Sequence, residues 1–213
     1  LLDLHSYYQF DQIVDRVIER IDWNSKAHLR AIALSQPHFA WRELLAGRLK
    51  IADKHFNSAV ELSRREEMYF YQFRSLSGMI VMALQEDQLS KARDFLAEAK
   101  SIAPLMDPVE NLPELYLLPI LEAFYLIRAD QKQAARDFLQ TTKKFKRYEF
   151  LRQSLLNELG INTRDEVYNP GSSEKKFSER LLELAKIKLQ SRYEFRDHLA
   201  THSILEEMPK LHK

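Results

Sequence analysis

Three groupings of side chains in this chain carry types and spacings that could do chemistry. Tyr69, Tyr71 and Arg74, and later Tyr116, Tyr125 and Arg128, set phenolic rings beside a guanidinium. On a concave face, such residues anchor a bound peptide: the rings give apolar contact and the guanidinium pairs with carboxylates. The same residues equally suit packing between helices, with the hydroxyls at the rim. A second grouping, Lys143, Lys144, Lys146 and Arg147 joined by Arg152, could meet phosphates or an acidic partner, with Tyr148 nearby for stacking. Those positions spread around a helix axis, so a solvated face or a helix terminus explains them as well. A third, His198, His202 and Glu206 at intervals of four, could draw a ridge of metal ligands along one helix face. Two imidazoles leave such a site incomplete, and we assign no metal to it.

No grouping names a reaction. The chain has no Cys, which removes thiolate catalysis, Cys-ligated zinc and disulfides together. No nucleophile elbow or glycine-rich phosphate loop frames its serines and histidines. The adjacent carboxylates Glu66 and Glu67, and Glu206 and Glu207, point in different directions. The reading is therefore non-enzymatic, with no cofactor. The alternative is an enzyme whose cleft lies between helical hairpins, with converging His or acidic groups of shifted proton affinity.

Composition points to helices as the elements that must position these residues. Only 4 Gly and 7 Pro occur in 213 residues, too little turn chemistry for a many-stranded sheet. The 45% apolar content, with 12 Phe, 9 Tyr and 2 Trp, supplies a core. Basic and acidic residues balance at 32 and 31, so no general field gathers a polyanion and a nucleic-acid role ranks below a protein one. Apolar runs are broken by charge well before about 20 residues, so no membrane-spanning helix is expected. The absence of Cys suits the cytoplasm or another reducing intracellular compartment. Leu1 in place of Met, with no leader pattern, suggests a piece of a longer chain.

Apolar residues recur at helical spacing along most of the length. Phe10 to Ile21 outline a first helix; a second runs to about Leu34; Pro37 suits the first turn of a third, ending near Leu45. Gly47 breaks the chain before a fourth helix over Ile51 to Leu62. Phe70 to Leu84 and Ala92 to Ala103 then face each other across the polar link Glu86–Gln88. A similar hairpin pairs Leu117 to Ile127 with Ala135 to Thr142, with Pro119 read as a kink within the first of the two. Tyr148 to Leu159 form another helix, ended by Gly160. Phe177 to Leu199 support one long helix, or two joined near Ser191.

Two strings repeat at nearly one interval: ARDFL at Ala92–Leu96 and Ala135–Leu139, and RYEF at Arg147–Phe150 and Arg192–Phe195. Recurrence near 40 residues is the mark of stacked helical units. The order Ala92, Phe95, Ala99, Pro104 resembles the second helix of the tetratricopeptide-like (TPR-like) repeats. Ala52, Phe56 and Ala59 give an earlier version, and Ala135, Phe138 and Thr142 a later one. The resemblance covers residues 38–145. It departs from the regular family in its longer intervals and in lacking the Trp-x-x-Leu-Gly signature of the first helices. It implies an all-α chain of antiparallel hairpins stacked as a right-handed superhelix over residues 1–160. An exposed loop at 161–173 would follow, then a C-terminal helical segment at 174–213 packing on or capping the array. It further implies a scaffold that binds a protein or peptide, or a second copy of itself, in a groove formed by successive first helices.

Overall fold

The computed structural model describes residues 26–106, 113–142, 148–161 and 172–187. Among them lie eight α-helices and no strand. In chain order they are α1 (Lys26–Leu45), α2 (Leu49–Arg65), α3 (Tyr69–Gln85), α4 (Leu89–Ile102), α5 (Leu117–Arg128), α6 (Lys132–Thr141), α7 (Glu149–Glu158) and α8 (Ser172–Leu184). Short 3-10 turns follow α4 (Ala103–Leu105) and precede α5 (Pro113–Tyr116). The chain is all-α, with each helix packed against its neighbours.

One backbone device makes the hairpins. After α1, Gly47 enters the left-handed region at φ 79°, its N–H bonds Leu44 O at 2.9 Å, and Arg48 N–H bonds Glu43 O at 2.8 Å. Two orphan carbonyls at the helix end are thereby satisfied. Arg48 O then accepts the N–H of Ala52 at 3.0 Å, which opens α2. Glu67, Asp87 and Asp130 repeat the pattern between α2 and α3, α3 and α4, and α5 and α6, with φ of 54°, 59° and 57°. Gly160 and Lys186 close α7 and α8 in the same way. Since α2 and α3 each have 17 residues and each link has three, the first three left-handed positions fall at even spacing: Gly47, Glu67, Asp87.

The device also sets the register of the second helices. Four residues past the helix-opening position come Ala52, Ala92 and Ala135, all wholly buried; four further on come Phe56, Leu96 and Leu139, also buried. In this register Phe56 matches Leu96, while Phe95 matches His55 and Phe138. The sequence alignment that pairs Phe56 with Phe95 is thus one residue out, and Phe95 is half-buried. Small alanines let the backbones approach closely at the seams.

Helix α3 is the centre of the molecule. It touches α1, α2, α4, α5 and α8, and is buried from Gln72 to Leu84 except at Arg74. Ser75 and Ser77 return their hydroxyls to the carbonyls of Tyr71 and Phe73 at 2.8 and 2.9 Å, so their burial leaves no unmet donor. The Phe56 ring lies directly on the Gly78 backbone, where an added Cβ would stand 2.0 Å from its Cζ. Trp41 completes this layer, edge-on to Phe56 with ring centroids 6.0 Å apart.

Several boundaries differ from the sequence expectation. Pro37 lies inside one continuous helix, α1, and does not start a new one. The buried neighbours Ala33, Phe39 and Ala40 hold the helix together across the missing donor. Pro119 is the third residue of α5, in the first turn, where an N–H needs no intrahelical partner; it marks a helix start and not a kink. Helix α8 stops at Leu184 through the Lys186 cap, ahead of the expected junction at Ser191. The expected helix over Phe10 to Ile21, most of the 161–173 loop and the segment beyond Ile187 lie outside the described residues. No described helix is long and apolar enough to cross a membrane.

Candidate functional site

Tyr69, Tyr71 and Arg74 occupy the first two turns of α3. All three are half-buried. Tyr69 and Phe70 pack onto the core, and Phe70 stands edge-on to Tyr71 with centroids 5.1 Å apart. Tyr71, Arg74 and Gly78 fall on one stripe, which faces α1 and α2. There the Trp41 indole donates to Arg74 O at 3.0 Å. His38, on α1, is held at a pKa of about 4, first by burial and then by the Arg74 charge. Together these residues make an aromatic end on an otherwise enclosed helix, with a cation one turn away.

The second tyrosine group does not form a comparable surface. Tyr116 ends the 3-10 turn before α5, whereas Tyr125 lies in the third turn of α5, nine residues on. Both pack partly against the core. Arg128 is occupied within the chain. Its Nη1 donates to Leu84 O at 3.1 Å and to Ala185 O at 2.8 Å, and its Nη2 pairs with the Asp87 carboxylate. It thus ties together the carboxyl ends of α3, α5 and α8, where exposed carbonyls favour a cation.

Arg152 is likewise removed from the basic patch that the sequence suggested. It is buried, with Nε on Leu139 O at 2.9 Å and Nη1 on Glu149 at 2.9 Å. Lys143, Lys144, Lys146 and Arg147 lie outside the described residues.

These two arginines belong to a set that sequence reasoning missed. Arg180 of α8 donates to Leu45 O at the end of α1 at 2.8 Å, and Arg136 of α6 donates to Leu159 O at the end of α7. Four guanidiniums therefore fasten helix ends to other elements through main-chain carbonyls. The planar fork suits this task because it satisfies more than one acceptor at once.

Two further polar features sit between α1 and α2. Glu43 is buried, and bonds from Arg48 and Arg42 hold its carboxyl below the usual range despite the opposing effect of burial. His55 bonds Gln36 at 2.6 Å and packs against Phe39 at 5.9 Å; burial lowers its pKa. A shallow groove of about 370 Å³ runs between α2 and α4 over Leu76 and Met79, walled by Val60 and Phe95. Glu98 spans its side, accepting Arg64 Nε at 3.0 Å and Gln72 at 2.8 Å. Among the described residues no three His, Asp or Glu converge as metal ligands. His198, His202 and Glu206 lie outside the described residues.

No family model matches this chain, and neither a curated protein nor a solved structure shows significant similarity to it.

Proposed function

We propose that this chain is a protein-interaction module of the TPR-like kind, which holds a segment of a partner protein against its first helices. The observation that carries the reading is the amino end of α3. That helix is enclosed from Gln72 to Leu84 apart from Arg74, so Tyr69, Phe70, Tyr71 and Arg74 are its main route to solvent. Half-buried rings held by core contacts lose little freedom on binding, and the positive charge of Arg74 beside them favours a partner carrying carboxylates. Arg128 and Arg152 are left out because Arg128 joins three helix ends and Arg152 is buried.

Tyr71 is the residue to test, since its backbone and first neighbours keep the helix while its ring lies partly open. Wild-type protein and Tyr71→Ala are each used to capture proteins from the native cell. A partner retained by the wild type and lost by the variant is the expected result. An identical set of captured proteins from both would refute the reading.

A further inference from the structure

Helix α8 is fastened differently from the helices of the hairpins. Each hairpin helix lies along its partner through a three-residue link, whereas α8 is reached across residues 162–171 and meets α1, α3 and α7. Its apolar residues Leu181, Leu182 and Leu184 are buried, as is Ala185 just past its end. Its polar attachments gather toward its carboxyl end. Arg180 reaches the end of α1, and five residues on, Ala185 O shares Arg128 with Leu84 O, so α8 steps across helix ends and does not run along a seam.

Asp87 sits where these attachments meet. It stands in the α3–α4 link, and one carboxylate oxygen takes Arg128 while the other takes Lys186 Nζ at 2.6 Å. Hydrogen bonding from Lys186, with the Arg128 charge beside it, holds the Asp87 carboxyl below its usual pKa. Glu183, the neighbouring acid on α8, is turned to Arg180 at 2.7 Å. Asp87 is the anion that Arg128 and Lys186 share among the described residues.

We infer that α8 is a strap across helix ends and that the Asp87 carboxylate is its clasp: neutralising this one charge makes α8 open locally more often while the hairpins stay folded. The leucines of α8 are core residues, so its weak point is the exposed polar attachment at its carboxyl end, where Asp87 and Lys186 meet. The strap stands on the clasp geometry alone and does not depend on the partner reading above.

Hydrogen exchange on the full chain tests it. Asp87→Asn keeps the left-handed backbone, which Asn tolerates, and removes the charge. Asp130→Asn is the matched control in the α5–α6 link, where no side-chain bond to Asp130 is found among the described residues. The expected result is about fivefold or greater acceleration at α8 amides in Asp87→Asn, with α4 amides unchanged and no effect of Asp130→Asn. Lys186→Gln should act in the same direction, and it keeps the test open if Asp87→Asn fails to fold. Unchanged α8 exchange in both variants, or α8 and α4 accelerating together, would overturn the proposal.

Discussion

At the scale of single residues, the tightest contact is Phe56 on Gly78, with no room for a methyl group. Gly78→Ala should cost about 1–3 kcal/mol from overpacking, read as a lower denaturation midpoint. Adding Phe56→Leu should return part of that loss, because the smaller side chain clears the space. Arg128 makes a different kind of demand. Arg128→Lys keeps the charge but cannot reach Leu84 O, Ala185 O and Asp87 together, so we expect a loss of roughly 1–3 kcal/mol. Arg93→Lys, at an exposed surface pair, should change stability by well under about 1 kcal/mol. His38 gives a pH signature. Its pKa falls from 6.5 in the unfolded chain to about 4 when folded, so the unfolded state takes up the proton first. Its contribution is therefore complete above pH 6.5 and declines as pH falls from 6.5 toward 4. His38→Gln should flatten the stability profile in that window, measured by denaturation at a series of pH values. Glu43, whose folded pKa is depressed, loses its contribution only at lower pH, as its carboxylate is protonated below 4.5.

At the scale of elements, the repeated link controls helix length and register. Glu67 occupies a left-handed position with a side chain that disfavours it. Glu67→Gly should stabilise the protein by about 0.5–1 kcal/mol, seen as a higher melting temperature. This link also explains how far the sequence could be read. Helix pairing was legible because apolar residues recur at helical spacing from Phe70 to Leu84 and Ala92 to Ala103. The turns were only half legible: Gly47 and Gly160 announce themselves, whereas Glu67, Asp87, Asp130 and Lys186 adopt the same backbone without the residue that signals it. Pro37 misled because proline favours helix starts, yet buried neighbours on both sides carry α1 through it. Residue type and spacing were enough to put Tyr69, Tyr71 and Arg74 on one helix, the amino end of α3. Arg128 and Arg152 misled because their acceptors are carbonyls of other helices, which no residue spacing reveals.

At the scale of the whole molecule, α3 joins α1, α2, α4 and α5 into one core. The slowest-exchanging amides of α2 and α4 should therefore report one common opening free energy, measured by native-state hydrogen exchange. A chain of independent repeats would give a separate value for each hairpin. Arg180 adds a tie of long sequence range, from α8 back to Leu45 at the end of α1. The arrangement thus returns on itself among the described residues, where a purely linear stack would meet only its nearest neighbours.

The guanidinium fastenings have a consequence for how such a chain can drift. Every residue supplies a main-chain oxygen whatever its side chain, so the arginines that grip Leu45, Leu84, Leu139, Leu159 and Ala185 place no demand of their own on those side chains. Correlated substitutions between two columns of related sequences, the usual fingerprint of a contact, would be missing at these joints.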